Sequence, residues 1–158
     1  MRIVVFSDSH NNYAPLKNIL QTHMDAECFI HLGDGERDWE TLTGEFPDKK
    51  ILIVRGNCDW CSEQPREDII ECGGKRIFYT HGQYYGVKDG LSKLMQRAKE
   101  MSADIVLFGH THQAFDTYEL GMHIMNPGSV AQPRDSEPSY GIIDVTPAGI
   151  TTRIVRTG

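Results

Sequence analysis

Residues 3–10 read IVVFSDSH, a short apolar run of strand character that ends in side chains able to bind a metal. Four later runs end the same way: CFIHLGD at 28–34, ILIVRGN at 51–57, IFYTHG at 77–82 and IVLFGHTH at 105–112. Open α/β sheets build their sites outside the carboxyl ends of strands. The pattern therefore predicts one metal site with seven candidate ligands: Asp8, His10, Asp34, Asn57, His81, His110 and His112.

The first half of the chain has the pattern of a β-α-β-α-β unit. A helix is predicted from Pro15, with Leu16, Ile19 and Leu20 on its apolar face, and a second around residues 38–43. Alternation of this kind implies parallel strands. The second half has a different pattern of predicted elements: a hairpin at Gly73-Gly74, a helix through Leu91 to Met101 and mostly strands thereafter. The predicted class is α/β, with a β-rich second half.

Length and composition describe one globular domain. The 158 residues fit a single domain spanning 1–158, and no apolar run approaches the roughly 20 residues of a membrane helix. We expect a cytoplasmic protein, because the first strand begins at once, without the apolar core of a secretory signal. The formal charge of −6 would repel nucleic acid, which is therefore not the favoured partner. Bound divalent cations would offset charge within the site, so a small phosphate ester is the expected substrate.

Four cysteines are too few and too unevenly spaced for a disulfide framework, so reduced thiols are expected. Cys58 and Cys61 form a C-x-x-C, a spacing that redox dithiols use. A redox protein built on this pair is one alternative function. A milder version is a Cys58–Cys61 disulfide that disturbs Asn57 and regulates metal binding.

The donor set itself indicates which metals fit. Carboxylates, imidazoles and one amide suit Mn²⁺, Fe²⁺, Co²⁺, Ni²⁺ or Zn²⁺, with Mn²⁺ as our first expectation. Seven ligands exceed one tetrahedral set and match two ions roughly 3.5–4 Å apart, bridged by a carboxylate and a hydroxide that attacks phosphorus in line. Gly33, Gly56 and Gly109 each precede a candidate ligand, where the backbone must turn sharply.

The ordered motifs resemble those of the calcineurin-like metallophosphoesterases. They are Asp8-Ser9-His10, Gly33-Asp34, Gly56-Asn57, His81-Gly82 and Gly109-His110-Thr111-His112, with Asn126-Pro127-Gly128-Ser129 similar to a turn of the small bacterial and archaeal phosphodiesterase branch. The resemblance implies a four-layer α-β-β-α sandwich, two mixed β-sheets flanked by helices. It also implies a first metal on Asp8, His10 and His112, a second on Asn57, His81 and His110, and Asp34 bridging them.

Cys58 departs from the wider pattern of that family. Many relatives carry a histidine directly after the motif asparagine, where it contacts substrate and can protonate the leaving oxygen. A thiol is a poor replacement because nearby cations favour thiolate, which has no proton to donate. Asn57 and Cys58 remain the candidate catalytic contacts, and we expect aryl phosphates and phosphodiesters to be better substrates than alkyl monoesters.

Several further expectations concern the surroundings of the site. Arg134 is a candidate substrate contact, whereas His23, His31 and His123 are expected to be structural and Ser9 a turn residue. The β-rich second half offers an edge or face for a homo-oligomer. The remaining alternative is a non-catalytic binding scaffold, because a eukaryotic retromer subunit shares this fold and has a degraded metal site.

Overall fold

The computed structural model describes residues 1–135 and 137–157, and they form ten strands and three α-helices. The helices are α1 (Ala14–Thr22), α2 (Glu36–Glu45) and α3 (Ser92–Glu100). The strands are β1 (Arg2–Phe6), β2 (Cys28–His31), β3 (Ile51–Ile53), β4 (Glu67–Cys72), β5 (Lys75–Thr80), β6 (Ile105–Leu107), β7 (Ala114–Glu119), β8 (Met122–Pro127), β9 (Ser139–Thr146) and β10 (Gly149–Arg156).

The strands form two mixed five-stranded sheets. The first sheet has the order β10-β9-β1-β2-β3 and contains the three parallel strands predicted for the first half. The second has the order β4-β5-β6-β8-β7, with β5, β6 and β8 parallel. The Gly73-Gly74 turn joins β4 to β5 in the predicted hairpin, where Cys72 pairs with Lys75. The carboxyl ends of β1, β2 and β3 therefore share one edge, as do those of β5 and β6.

Three apolar clusters account for the layers. Alternate residues of β1 point to opposite faces, so Ile3 and Val5 pack between the sheets whereas Val4 and Phe6 pack against the helices. The first sheet is covered by α1 and α2, and α3 covers the second sheet through Leu94 and Ala98. This is the predicted four-layer α-β-β-α sandwich, in which the central strands of both sheets are buried on both faces.

The structure also adds details that the sequence patterns missed. A short 3-10 helix, Gln83–Tyr85, follows β5 directly. Strand β8 continues through Asn126 and Pro127, which were expected to form a turn, because Ala114 and Phe115 of β7 pair with them. Within the described residues, no helix is long and apolar enough to cross a membrane.

Candidate metal centre

The loops after β1, β2, β3, β5 and β6 bring the seven predicted ligands to one place between the two sheets. The ligand-type atoms of Asp8, His10 and His112 lie within 4.8 Å of one another, as do those of Asp34, His81 and His110. The groups adjoin, since His81 Nε2 lies 3.3 Å from Asp34 Oδ2 and 3.8 Å from Asp8 Oδ1. Asn57 Oδ1 is 3.0 Å from His81 Nε2.

The backbone turns sharply at most of these ligands. Five of them adopt the left-handed conformation, with φ between 44° and 72°, namely Asp8, His10, Asp34, His110 and His112. Non-glycine residues rarely adopt this region, and such strain is concentrated at functional sites. These strained residues lie in the loops after β1, β2 and β6, and they direct side chains from three separate strands towards one point.

Asp8 is the most enclosed of the carboxylates. Its Oδ2 accepts hydrogen bonds from Ser7 Oγ at 2.6 Å and from the His110 backbone N–H at 3.1 Å. Its Oδ1 is fully buried and accepts no hydrogen bond from any described residue, although His112 Nε2 lies 3.2 Å away. Because a buried acceptor left unpaired is costly, Oδ1 requires a positively charged or donating partner in the site.

Backbone carbonyls set the orientation of two histidine rings. His81 Nδ1 lies 2.6 Å from the carbonyl oxygen of Leu32, and His112 Nδ1 lies 2.7 Å from that of Gln132. With the proton on Nδ1, each ring donates to its carbonyl and turns the lone pair of Nε2 inward. Ligating histidines are typically held in this way.

The charges within the site are strongly coupled. Burial alone would raise the pKa of Asp8, but the neighbouring rings of His10, His112 and His81 hold it far below its usual value. The pKa of Asp34 is also lowered, with His81 outweighing the opposing effect of burial. Burial and the charge of His81 lower the pKa of His110 to about 4. The site therefore presents two ionised carboxylates and, at His110, a neutral imidazole.

These observations fit a site for divalent metal. His10 Nε2 lies 3.3 Å from His112 Nε2, and His81 Nε2 lies 3.2 Å from His110 Nδ1. Ring nitrogens and carboxylate oxygens thus face each other around a buried oxygen that lacks a partner. Oxygen and imidazole donors of this kind suit borderline divalent metals.

Asp59 holds two of the ligand loops together, a role that the sequence patterns did not reveal. Its carboxylate accepts four backbone N–H groups, those of Asp34, Gly35, Glu36 and Gly56, at 2.7–3.1 Å. It therefore satisfies donors at the start of α2 while fixing the loops after β2 and β3 against each other. Its only signal in the sequence is its position two residues after Asn57.

A buried network supports the loop after β1. Ser9 Oγ donates to Asp38 Oδ2 at 2.6 Å and lies 3.0 Å from His31 Nε2, while the Gly33 N–H donates to His31 Nδ1. Ser9, expected to be only a turn residue, is thus fully buried and links β1 to α2. His31 is structural as predicted, and burial lowers its pKa to about 4.

A cavity of about 390 Å³ opens beside the cluster, lined among others by His10, Asp34, Arg37, Cys58 and Trp60. Cys58 and Cys61 are free thiols at its exposed side. Trp60 is 85% exposed. Arg134 lies elsewhere: its backbone N–H donates to the carbonyl of His112, and its exposed side chain does not line this cavity.

Comparison with known proteins places the chain among phosphoesterases. Residues 1–147 match the family model of the calcineurin-like phosphoesterase superfamily domain. "Probable metallophosphoesterase YsnB" of Bacillus subtilis is 32% identical over 155 residues, which cover 97% of this chain and 89% of that protein. "Phosphodiesterase YfcE" of Escherichia coli K12 is 28% identical over 91% of this chain and 88% of its own. A solved E. coli YfcE structure, 26% identical over the same shares of each chain, has a TM-score of 0.70.

A third relative has a name of a different kind. "Vacuolar protein sorting-associated protein 29" of Schizosaccharomyces pombe is 37% identical over 116 residues, which cover 67% of this chain and 62% of that protein. Proteins named as enzymes and a protein named for vacuolar sorting therefore share this chain's sequence pattern.

Proposed function

This chain belongs to the calcineurin-like phosphoesterase superfamily, and from that premise we propose that it is a metal-dependent phosphodiesterase. When bound, two divalent cations would activate a water for in-line attack on phosphorus and neutralise charge on the phosphoryl oxygens. The substrates are small phosphodiesters and activated aryl phosphates. The whole chain, residues 1–158, acts as a single domain.

The observation that carries this proposal is the buried, unpartnered Oδ1 of Asp8 at the centre of converging imidazole nitrogens. A binding scaffold needs no such arrangement, because five strained residues and an unsatisfied buried oxygen would lower its stability without benefit. Buried polar groups without partners in a native structure call for a functional explanation.

Each ligand residue has a defined role in the proposal. Asp8, His10 and His112 would hold one ion, and Asn57, His81 and His110 would hold a second. Asp34 would serve both, which fits the position of its Oδ2 between His10 and His81, at 3.7 and 3.3 Å. The carbonyls of Leu32 and Gln132 fix the rings of His81 and His112, so the ligands are oriented before a metal arrives. Mn²⁺ is the expected activating metal, and Fe²⁺, Co²⁺, Ni²⁺ and Zn²⁺ also suit the donors.

The substrate preference follows from Cys58 and the open cavity. Burial and the charge of Asp34 raise the pKa of the Cys58 thiol, so without metal it holds its proton firmly. Either as a weak acid or as a thiolate it is a poor proton donor to a departing alkoxide. Esters whose leaving groups are stable anions do not need that proton. Arg134, whose backbone N–H donates to the carbonyl of His112, is proposed to contact a distal part of the substrate from outside this cavity.

The test is hydrolysis of bis-p-nitrophenyl phosphate and p-nitrophenyl phosphate by metal-stripped protein, with Mn²⁺, Co²⁺, Ni²⁺, Zn²⁺ or Mg²⁺ restored singly. We expect turnover only with added metal, a faster rate on the diester, and a loss of at least about 10³-fold in Asp34→Asn and His81→Ala, which lack a charge or a ligand at the centre. Folded protein that binds metals but turns over neither substrate would contradict the proposal and favour the scaffold alternative.

A further inference from the structure

Cys58 lies beside two of the candidate metal ligands, His10 and Asp34. Its Sγ, a ring nitrogen of His10 and a carboxylate oxygen of Asp34 all lie within 4.8 Å of one another. This is a third ligand group of the described chain, and it shares a residue with each of the other two. The sulfur therefore faces the position between the first-ion ligands and the bridging carboxylate.

The spacing is compatible with a common ion. Zinc–sulfur bonds are about 2.3 Å long and zinc–nitrogen bonds about 2.0–2.1 Å, so two ligands of one ion lie at most about 4.4 Å apart. The distances between the three ligand atoms, within 4.8 Å, exceed this limit by a few tenths of an ångström at most. Exposed loop side chains make such movements readily, and Cys58 is exposed.

Two local hydrogen bonds fix the position of Cys58, and in one of them its sulfur is the acceptor. The amide Nδ2 of Asn57 donates towards Cys58 Sγ at 3.5 Å, while Asn57 Oδ1 points to His81. The backbone N–H of Cys58 donates to Asp34 Oδ1 at 2.7 Å and fixes the residue beside the bridging carboxylate. The sulfur thus lies beside ligand atoms and accepts a hydrogen bond, and both features are compatible with a role as a metal ligand.

A second, independent observation points to a cation at the same place. Asp8 Oδ1 is fully buried without a hydrogen-bond partner and lies 3.7 Å from His10 Nε2, the ring that also faces Cys58. An ion that satisfies this oxygen through the ligands of the first group is therefore within reach of the thiol.

The other thiols are placed differently. Cys28 and Cys72 are buried between the two sheets, in the apolar cluster that joins them. Cys61 is exposed and lines the same cavity as Cys58, but it belongs to none of the three ligand groups found among the described residues. It therefore serves as a matched control thiol, three residues away in the same loop.

We infer that Cys58 is a thiolate ligand of the ion held by His10 and Asp34, and that it biases this position towards thiophilic divalent metals. Binding forms a sulfur–metal bond and releases the thiol proton to solvent. Thiolate favours Zn²⁺ and Co²⁺ over Mn²⁺ and Mg²⁺, which prefer oxygen ligands. The inference rests on the proposed metal centre but not on turnover.

The experiment is a Co²⁺ titration of metal-stripped protein, comparing the wild type with Cys58→Ser and Cys61→Ser. Bound cobalt is counted by equilibrium dialysis, and the near-ultraviolet sulfur-to-cobalt charge-transfer absorption is recorded at equal occupancy. We expect that absorption in the wild type and in Cys61→Ser and its loss in Cys58→Ser. In a companion competition, Cys58→Ser should bind Zn²⁺ at least tenfold more weakly, with the affinity for Mn²⁺ changed less than threefold.

Charge-transfer absorption that persists in Cys58→Ser, or that is missing from cobalt-loaded wild type, would overturn the inference. Charge-transfer absorption without hydrolysis of either nitrophenyl ester would support the inference while the proposed function fails. Hydrolysis without the absorption would do the reverse, so the two failures are distinguishable. Thermal unfolding of each variant, followed by circular dichroism, verifies that the protein compared is folded.

Discussion

The loops after β1 and β3 both supply metal-ligand candidates, but they are held very differently. In the first, Ser7, Asp8 and Ser9 are fully buried, and Asp8 is tied to distant parts of the chain through its side chain and through its carbonyl, which accepts from Ser129 Oγ at 2.8 Å. The loop after β3 is exposed at Asn57, Cys58 and Cys61 and is fastened mainly by Asp59.

The difference separates two tasks within one site. The β1 loop would fix the position of bound metal, because the side chains of Ser7, Asp8 and Ser9 are hydrogen-bonded or face the centre. The β3 loop borders the open cavity and contributes the residue that departs from the family pattern. The exposed side chains of the β3 loop, such as Cys58, can therefore change without disturbing the buried framework.

The largest effect is expected where the β3 loop touches that framework. In Gly56→Ala the new Cβ would lie 2.1 Å from Asp34 Oδ1 and 2.5 Å from the Asp34 backbone nitrogen, which cannot move independently. We expect a loss of about 2–3 kcal/mol in the free energy of unfolding and at least a roughly 100-fold fall in hydrolysis, as for other misplaced catalytic groups. Urea unfolding and steady-state rates measure both.

Gly44→Ala is the matched control for that substitution. Gly44 lies in α2, and an added Cβ would meet nothing within 4 Å. Alanine should therefore stabilise the protein by about 0.5–1 kcal/mol, since glycine is unfavourable in helices. Equal stability losses in both variants would mean that the contact between Gly56 and Asp34 is unimportant.

The next effect concerns Asp59, which tests whether one carboxylate holds the β3 loop. Asp59→Asn replaces an acceptor of four backbone N–H groups by an amide that must turn its own NH₂ towards some of them. We expect metal affinity to fall about 10–100-fold, as for other groups that orient ligands. Calorimetric titration with Mn²⁺ measures it, with the exposed Asp48→Asn as a charge-matched control; identical affinities in the two variants would refute the role.

His31 in β2 contacts Ser9 of the β1 loop, so the pH dependence of stability tests how this buried loop is supported. Burial lowers its pKa to about 4 in the folded protein, against about 6.5 in the unfolded chain. Between these values only the unfolded chain takes up the proton, so stability falls as pH drops from 6.5 towards 4. At about 1.4 kcal/mol per pH unit, the loss from this residue is about 2 kcal/mol between pH 6.5 and 5.

His31→Gln isolates this contribution, because glutamine keeps one donor and one acceptor for Ser9 and Gly33 but carries no titrating proton. Urea unfolding of metal-free wild type and variant at pH 7 and pH 5 should show a steeper decline in the wild type. Parallel declines would indicate that another group causes the acid sensitivity.

The smallest effect should come from Cys58→His, which changes only the exposed loop after β3 and leaves the buried loop after β1 intact. An imidazole there could protonate a departing alkoxide, so the rate on an alkyl monoester relative to bis-p-nitrophenyl phosphate should rise roughly tenfold, below the range of an optimally placed acid. Rates on glycerol phosphate and the diester measure the ratio. A ratio that rises equally in Cys61→His would show that position 58 has no special access to the leaving group.

The sequence was sufficient for the features that depend on local pattern. Apolar runs that end in polar residues predicted the strands and brought Asp8, Asp34 and His81 to one site. The sandwich was predicted from the resemblance of these ordered endings to a known family. The strand ends could be located because residues of β1, β2 and β6 are apolar on both faces, as expected for buried parallel strands.

Features that depend on long-range contacts could not be predicted in this way. Three of the four backbone N–H groups that Asp59 accepts, those of residues 34–36, are more than 20 residues away in sequence. The Gln132 carbonyl that orients His112 belongs to the backbone, so no side-chain pattern could reveal its role. Ser9 resembled a turn residue because its partners, His31 and Asp38, come from different elements. Strand β8 extends through Pro127 because β7 provides the pairing.

The division of the ligands between the sheets also has a consequence for folding. Four of them follow strands of the first sheet and three follow strands of the second, across more than 100 residues of chain. Ions held there would cross-link the two halves of the sandwich, and such ligands add to stability in proportion to the logarithm of their free concentration. Removal of metal by a chelator would then loosen the docking of the sheets and shorten the lifetime of the native state, so metal supply would govern how long each molecule survives.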